Sequence, residues 1–379
     1  MPDSYPAIQE AAVSAYTIPT DKPEADGTIE WDDTTLVLVD LKCGETTAFG
    51  YSYADSSAAF LIAHKLADQI IGQDPMAVPA TVLKLERSVR NSGRPGIAST
   101  AIAAIEAALW DLKAKLLDVP LATLLGVYRR QVTAYGSGGF TSYSIDTLKE
   151  QLGNWSAEGF SAVKMKIGTH PDQDLNRVKA ARAAIGNTCE LFVDANGAYM
   201  RKQAIAMAEI FAGQGVTWFE EPVTSDDLDG LREVSQQAPA GMRIAAGEYG
   251  YDITYFHRMV IHRSVDVLQS DATRCGITAF MKAAALCNAA HIPFSAHTSP
   301  SLHVHLCCAA RNGMNLEYFH DHVRIEHMLF DGAPTPKHGM LSPDFARPGL
   351  GLDFKRKDAE KYQVFADNTK HVSRHRVSG

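Results

Sequence analysis

Apolar positions along the chain follow two different patterns. Near the amino terminus, AAVSAYTIPT and TLVLVDL are typical of strands, and GETTAFGYSY can return as a third strand of the same sheet. The segment STAIAAIEAALWDLKAKLLDV instead has small and apolar residues at helical spacing up to Pro120, so it predicts a long helix. Together these elements predict a small α+β domain over residues 1–130.

From Gln131 onward, short apolar strands alternate with helical segments. The eight predicted strands are VTAYGS, AVKMKI, LFVDAN, TWFEE, IAAGE, VDVLQSD, IPFSAH and NLEYF. Helical stretches such as IDTLKEQLGNWSAEG and ITAFMKAAALCNAA lie between them, and SLHVHLCCAARNG is a weaker helix prediction. This alternation favours a (β/α) barrel over residues 131–330 rather than an open sheet. The Pro- and Gly-rich segment 331–379 resumes no repeat, and we expect it to pack back on the first domain.

Ionisable side chains lie at the ends of seven successive barrel strands, where a TIM barrel places its active site. In chain order they are Lys164 and Lys166, Asp194, Glu220 and Glu221, Glu248, Asp271, His297, and Glu317. Because side chains alternate along a strand, Lys164 and Lys166 point to one side and Met165 to the other. A single acidic residue at a strand end is usually a helix cap or a surface charge. Seven strand ends together favour one polar pocket at the mouth of the barrel.

Three carboxylates on adjacent strands predict a site for a hard metal ion. Asp194, Glu220 and Glu248 offer oxygen ligands, and no His or Cys lies among them. Oxygen ligands with room for water and substrate suit Mg²⁺, whereas zinc usually has nitrogen or sulfur ligands. The sequence therefore predicts Mg²⁺ as the cofactor.

Two potential bases flank these carboxylates. Either Lys166 or His297 could take or return a proton. We expect the charge of Lys164 to lower the pKa of Lys166 toward that of a useful base. Asp271, one strand before His297, could fix its tautomer and raise its basicity. Glu317, if protonated, could hydrogen-bond a developing enolate.

The motifs KMK, VDAN, FEEP, AGE, QSDATRCG, SAHTSP and LEYF, in that order, resemble the mandelate racemase subgroup of the enolase superfamily. The resemblance covers nearly the whole chain. It implies a modified TIM barrel, (β/α)7β, with an N-terminal α+β capping domain that residues 331–379 would complete. One departure is that QSDATRCGIT has a single glycine, Gly276, where this subgroup usually has two. That difference leaves the geometry of the loop after Asp271 open.

The resemblance also implies roles for the residues at the strand ends. The implied roles are Mg²⁺ ligation by Asp194, Glu220 and Glu248, proton transfer by Lys166 and by the His297–Asp271 pair, neutralisation of the substrate carboxylate by Lys164, and support of the enolate by Glu317. The common half-reaction is removal of the proton next to a carboxylate, so the expected partner is a small carboxylate substrate.

Removal of this proton is common to several overall reactions, so it does not determine which product forms. We favour dehydration of a sugar acid, an aldonate or aldarate, to a 2-keto-3-deoxy acid, because many members of the subgroup act on acid sugars. Racemisation or epimerisation of a 2-hydroxy or amino acid derivative, and cycloisomerisation, would use the same enolate. The loop KPEADGTIEWDD and the tyrosines of GYSYAD could cap a hydroxylated substrate. A non-enzymatic alternative is a barrel that only binds a ligand. Loss of a metal-binding carboxylate or of both bases would favour that alternative, and this sequence has all of these residues.

Chain length, net charge and cysteine spacing limit the possible partners and the cellular location of the protein. A chain of 379 residues suits two domains, and its net charge of −8 argues against a nucleic-acid partner. No apolar run approaches a membrane span, and MPDSYPAIQE has no secretory signal pattern. The six cysteines are scattered without CxxC spacing, which favours reduced thiols in a cytoplasm. The family usually forms dimers or octamers, so we expect a homo-oligomer.

Two histidine motifs form a separate and weaker signal. HVH at residues 303–305 and HDH at 320–322 have carboxylates and Cys307 nearby in the sequence. Imidazole nitrogens are common transition-metal ligands, so these motifs raise the alternative of a second metal site.

Overall fold

An antiparallel sheet forms the first part of the protein, whose computed structural model describes residues 5–367. Its strands are β1 (Glu10–Ala25), β2 (Glu30–Cys43), β3 (Thr46–Tyr53) and β15 (Gln363–Asp367), in the spatial order β15–β1–β2–β3. Along β2, Leu36 and Leu38 pack into the core shared with the barrel, whereas Val37 and Val39 pack against the cap helices. Both faces of the strand are therefore buried, which explains the continuous apolar run in its sequence.

The helices of the cap follow this sheet. They are α1 (Ser57–Leu61), α2 (Val78–Ser88), α3 (Ile97–Leu116) and α4 (Leu121–Leu125), with a π-helical turn at Ile62–Leu66 and 3₁₀ turns at Ala67–Gln69 and Arg90–Ser92. Helix α3 packs on β3, and Gly50 permits the close approach, because an added Cβ there would lie 2.1 Å from the backbone nitrogen of Ala108. The predicted long helix and the α+β character of the first domain are confirmed.

Eight parallel strands close into the predicted barrel. They are β4 (Val132–Gly138), β5 (Ala162–Lys166), β6 (Glu190–Asp194), β7 (Val216–Glu220), β8 (Arg243–Ala246), β9 (Val267–Ser270), β10 (Phe294–Ala296) and β11 (Gly313–Phe319). Strand β11 pairs back with β4, which closes the ring. The connecting helices are α5 (Ile145–Ala157), α6 (Pro171–Ile185), α7 (Arg201–Ala212), α8 (Leu228–Gln237), α9 (Ile253–His262), α10 (Ala272–Cys275) with α11 (Ile277–Ala289), and α12 (Pro300–Ala309). The modified (β/α)7β TIM barrel is thus confirmed, and α12 confirms the weaker helix prediction.

The segment after the barrel contacts both parts of the protein. It contains α13 (His320–Leu329), β12 (Phe330–Asp331), β13 (Met340–Leu341), β14 (Asp353–Phe354), α14 (Arg356–Ala359) and a 3₁₀ turn at Glu360–Tyr362. Strand β13 pairs with β4 of the barrel, and β15 pairs with β1 of the cap. The domain boundaries 1–130, 131–330 and 331–379 stay predictions, and residues 1–4 and 368–379 lie outside the described residues.

Side-chain alternation carries polar groups into the interior at one end of the barrel. The interior has an apolar layer made of Tyr135, Ala162, Phe192, Trp218, Ala245 and Val267. Lys164, Asp194 and Glu220 each lie two residues after a member of this layer, so they face the same way. At Gly247 the backbone has φ +135°, and an added Cβ would lie 2.2 Å from the carbonyl oxygen of Gln269. This glycine changes the phase of the alternation, and Glu248 then turns inward.

All six cysteines fall within the described chain, where they are buried free thiols. Burial raises the pKa of the thiols of Cys275, Cys287 and Cys307, which keeps them protonated and unreactive. Between residues 5 and 367, no helix is long and apolar enough to cross a membrane.

Candidate active site

Three carboxylates meet at the mouth of the barrel. Asp194 and Glu220 end strands β6 and β7, and Glu248 follows β8 after the Gly247 turn. All three side chains are buried, and one oxygen atom of each lies within 4.8 Å of the others. Oxygen Oε2 of Glu248 has no hydrogen bond of good geometry, although it lies 3.1 Å from Nε2 of His297.

These carboxylates fit a hard divalent cation. Burial, together with the Asp194 carboxylate, raises the pKa of Glu220 to about 8. A cation bound among the three groups would offset their mutual repulsion. The donor set is all oxygen, as Mg²⁺ prefers.

Two lysines of β5 face the carboxylates. Nζ of Lys164 lies 2.5 Å from Oε1 of Glu220 and 2.8 Å from Oε1 of Glu317. Nζ of Lys166 lies 2.6 Å from Oδ2 of Asp194 and 3.1 Å from Oδ1 of Asn196. Met165 is buried in the core cluster outside the barrel interior, so the predicted alternation is confirmed.

The predicted lowering of the Lys166 pKa is wrong. Burial lowers this pKa and the charge of Lys164 lowers it further, but Asp194, Glu248 and Glu317 raise it above its ordinary value overall. Lys164 is only one neighbouring cation, and the three anions around Lys166 outweigh it. In this arrangement Lys166 is a protonated partner of Asp194.

His297 forms a pair with Asp271. Its Nδ1 lies 2.9 Å from Oδ2 of Asp271, and its Nε2 faces Glu248. Burial lowers the pKa of His297, yet the charge of Glu248 and the hydrogen bond with Asp271 raise it to about 10. The predicted increase in basicity is confirmed in direction, and Glu248 contributes to it as well.

Glu317 is an anion rather than a hydrogen-bond donor. It accepts hydrogen bonds from Oγ of Ser137 at 2.5 Å and from the backbone nitrogen of Thr298 at 3.1 Å. Burial raises the pKa of Glu317, but Lys164 and His297 bring it down to about 2. The prediction that a protonated Glu317 donates to an enolate is therefore wrong.

The single glycine after Asp271 is sufficient for the turn. Asp271 caps the short helix α10, and its Oδ1 accepts a hydrogen bond of 2.7 Å from the backbone nitrogen of Thr273. The helix ends at Gly276, whose φ of +84° suits glycine. An added Cβ there would lie 2.0 Å from Oε2 of the buried Glu106. The capping frees the other oxygen of Asp271 for His297.

A cavity of about 380 Å³ lies between the cap and the barrel mouth. Its barrel side includes Lys166, Glu248, Asp271 and His297. Lys164, Asp194, Glu220 and Glu317 are 0% exposed and support these groups from within the protein. Its cap side includes Asp26, Ile29, Trp31 and Asp33 from the loop KPEADGTIEWDD, and Tyr53 and Asp55 from GYSYAD. Both segments that were expected to cap a substrate therefore line the cavity.

Two residues that line this cavity, Arg274 and His322, were not predicted from the sequence. Arg274 donates to the backbone oxygen of Glu248 at 3.0 Å, lies 3.7 Å from Oδ2 of Asp271, and stacks over Tyr249. His322 stacks on Tyr53 with 3.5 Å between ring centroids, and burial lowers its pKa to about 3. A basic residue three positions after a strand-end aspartate was a signal for Arg274, whereas nothing local marks the pairing of His322 with the cap.

The HVH histidines are both used structurally. Nδ1 of His303 donates to the carbonyl oxygen of Thr298 at 2.7 Å, and its Nε2 accepts from the backbone nitrogen of Ala272 at 2.8 Å. Nε2 of His305 donates to the carbonyl oxygen of Leu350 at 3.0 Å. Burial lowers the pKa of both imidazoles, which keeps them neutral. A metal at 303–305 would have to displace these bonds.

The cap, the barrel and the buried charged groups at the barrel mouth define a (β/α)7β protein. Its candidate cation site lies beside a lysine and a histidine. Residues 16–126 match the mandelate racemase/muconate lactonizing enzyme N-terminal domain, and residues 147–359 match the enolase C-terminal domain-like family. The chain belongs to the mandelate racemase subgroup of the enolase superfamily, as the sequence motifs indicated.

Individual relatives are similar over most of the chain. A crystal structure of a mandelate racemase/muconate lactonizing enzyme-like protein from Rubrobacter xylanophilus has 48% identity and a TM-score of 0.93, covering 95% of this chain and 100% of that one. The L-talarate/galactarate dehydratase of Salmonella typhimurium is 32% identical over 73% of this chain and 70% of its own. Its structure with Mg and L-lyxarohydroxamate has a TM-score of 0.87 at 26% identity, with coverage of 95% and 93%. The D-galactarolactone cycloisomerase of Agrobacterium fabrum is 32% identical over 68% of each chain.

Proposed function

We propose that this protein is a Mg²⁺-dependent enzyme that removes the proton next to a substrate carboxylate and dehydrates a sugar acid to a 2-keto-3-deoxy acid. The observation that supports this most is that Lys166 and His297 line one cavity, next to the same group of three carboxylates. A base and an acid on the two sides of a bound carbon are what a β-elimination needs.

In this proposal, Asp194, Glu220 and Glu248 hold the metal ion. Mg²⁺, when bound, supplies positive charge that stabilises the negative charge developing on the substrate carboxylate. Lys164 adds a fixed positive charge below the cavity, and Glu317 orients it through their 2.8 Å contact. This preorganised charge acts where the transition state becomes more negative than the substrate.

The proton steps belong to Lys166 and the His297–Asp271 pair. The neighbouring carboxylates keep both groups protonated near neutral pH, and a cation held by Asp194 and Glu248 would lower both pKa values by offsetting that negative charge. The group that is then neutral takes the proton from the carbon next to the carboxylate. The electron pair of that C–H bond first moves toward the carboxylate and gives an enolate. It then forms a C=C bond as the C–O bond at the next carbon breaks. The other group, in its protonated form, gives its proton to the departing hydroxyl, which leaves as water. The enol that remains tautomerises to the 2-keto-3-deoxy acid.

A sugar acid as substrate is supported by the cavity and by the relatives. The cap side of the cavity has carboxylates and hydroxyls from Asp26, Asp33, Tyr53 and Asp55, which can hydrogen-bond a polyol. The dehydratase and the cycloisomerase named above act, by their names, on talarate or galactarate and on a galactarolactone. A cycloisomerase or an epimerase is the second candidate, because an equally similar relative is a cycloisomerase and because both bases are present.

A screen of aldonates and aldarates with Mg²⁺ tests this proposal. Dehydration gives a keto acid that semicarbazide detects, and it requires added Mg²⁺. Epimerisation in D₂O would instead place deuterium next to the carboxylate of recovered substrate without a keto product. Absence of both keto acid and deuterium exchange across the whole screen would contradict the proposed half-reaction itself.

Mg²⁺ binding should release protons. The pKa of Glu220, raised to about 8 by burial and Asp194, keeps this group mostly protonated at pH 7, and a ligand carboxylate must be deprotonated. Calorimetric titrations at pH 7 in buffers of different ionisation enthalpy should therefore report release of about one proton per ion. The release should shrink as the pH rises through 9. An enthalpy that is independent of the buffer at pH 7 would contradict this linkage.

His303 is expected to position the catalytic pair without touching substrate. Its imidazole joins the backbone next to Asp271 to the backbone next to His297. His303→Leu removes both bonds and should lower kcat by about tenfold or more and shift the pH profile. His303→Gln can still donate and accept, so it should restore much of the activity and the original pH profile. Equal losses in both variants, with an unchanged pH profile, would indicate a packing role only.

The proposed assembly rests on the family resemblance, and the proposed location rests on the scattered cysteines without CxxC spacing. We propose a cytoplasmic homo-oligomer, a dimer or an octamer. Light scattering on the purified full chain measures the mass, and a monomer at micromolar concentration would contradict the proposed assembly.

A further inference from the structure

A second group of potential metal ligands lies where the cap meets the barrel. Asp21 and Glu24 belong to β1, and His320 is the first residue of α13, directly after β11. One ligand atom from each of the three side chains lies within 4.8 Å of the others. Nε2 of His320 is 3.1 Å from both carboxylate oxygens of Asp21.

Glu24 gives an independent indication of a ligand at this position. Its side chain is 0% exposed, and its Oε2 accepts a hydrogen bond of 3.0 Å from Nε1 of Trp31. Its other oxygen, Oε1, has no hydrogen-bond partner among residues 5–367. A buried carboxylate oxygen without a partner is costly, and a bound cation removes that cost.

The neighbouring cations are engaged elsewhere. Arg324 pairs with Asp321 at 2.6 Å and donates to the carbonyl oxygen of Pro19 at 2.6 Å. Nζ of Lys22 lies over the ring of Tyr143, 5.7 Å from its centroid. Neither side chain gives Oε1 of Glu24 a hydrogen bond.

We propose that Asp21, Glu24 and His320 form a second metal site that binds a divalent transition-metal ion such as Zn²⁺. An imidazole nitrogen with two carboxylate oxygens suits Zn²⁺ better than Mg²⁺, which prefers oxygen alone. Ligand atoms at about 2.1 Å from one ion lie within about 4.2 Å of each other, so shifts below about 1 Å complete the site. Asp21 and His320 are partly exposed, which leaves room for a water ligand.

An ion at this site would connect the cap to the barrel beside the active-site cavity. His320 lies three residues after Glu317, and Glu24 is hydrogen-bonded to Trp31, which lines the active-site cavity. An ion held by all three ligands therefore connects strand β1 of the cap to barrel strand β11, which carries Glu317. This connection fixes one wall of the cavity.

Metal retention by the Mg²⁺-loaded full chain tests the proposal. The protein is mixed with one equivalent of Zn²⁺, dialysed against Mg²⁺ buffer and analysed for both metals. We expect about one retained Zn²⁺ per chain, and at least about tenfold less in His320→Ala and in Glu24→Gln. His257→Ala, an exposed histidine on α9, and Glu248→Gln, a carboxylate of the other group, should both retain Zn²⁺ like the unchanged protein.

A second readout separates loss of binding from loss of fold. Zn²⁺ should raise the Tm of the unchanged protein and leave the Tm of Glu24→Gln unchanged, because only a folded site binds the ion. Glu24→Gln keeps the shape of the side chain, so it serves if His320→Ala does not fold. Loss of Zn²⁺ from the unchanged protein on dialysis would overturn the proposal, as would full retention by folded Glu24→Gln.

Discussion

Lys166→Ala and His297→Asn should each reduce dehydration by about 10³-fold or more while leaving the fold and Mg²⁺ binding in place. Each change removes one of the two groups that the proposed reaction uses for its proton transfers. Steady-state rates of keto-acid formation, with circular dichroism and Mg²⁺ titration on the same samples, measure the effect.

Deuterium exchange of the proton next to the carboxylate can show which of Lys166 and His297 removes that proton. The variant that lacks the first base should lose deuterium exchange as well as dehydration, whereas the other variant can keep the exchange. Lys202→Ala and His257→Asn change an exposed lysine and an exposed histidine on α7 and α9, so they should leave the rates unchanged. Full activity in either Lys166→Ala or His297→Asn would refute the role proposed for that residue.

The sequence predicted the barrel side of this cavity well, because period-two alternation is a local property. It placed Lys164 and Lys166 on one side of β5, and the parallel strands bring their ends to a common edge. Glu248 reaches the same edge by a different route, since Gly247 changes the phase of the strand. Residue type and order pointed to Glu248 as a potential metal ligand, although simple alternation along the strand would have turned its side chain outward.

The cap side of the cavity and the protonation states were harder to predict. The approach of Trp31 and Tyr53 to the barrel depends on how the cap and the barrel pack against each other, and no local pattern encodes that contact. His322 reaches the cavity through its stacking on Tyr53. The pKa of Lys166 was predicted with the wrong sign because its value depends on every charge within a few ångströms, not on one sequence neighbour.

Glu248→Gln should weaken Mg²⁺ binding by about 10²-fold or more and abolish dehydration. The change removes one of three anionic ligands and keeps the size of the side chain. It also removes the carboxylate next to Nε2 of His297, which helps to raise the pKa of that imidazole, so the His297 pKa should fall. Calorimetry measures the first effect, and an NMR titration of the imidazole measures the second.

Glu317→Gln is the informative comparison for this prediction. Glu317 is as buried as Glu248 and also carries a charge near His297, but it lies outside the group of three potential metal ligands. Its variant should keep Mg²⁺ affinity within about threefold while losing activity, because Lys164 loses one of the two nearest carboxylates that hold it in place. Glu209→Gln, on the exposed side of α7, should change neither property. Similar Mg²⁺ affinities for Glu248→Gln and the unchanged protein would remove Glu248 from the metal site, and with it the charge arrangement on which the proposed elimination depends.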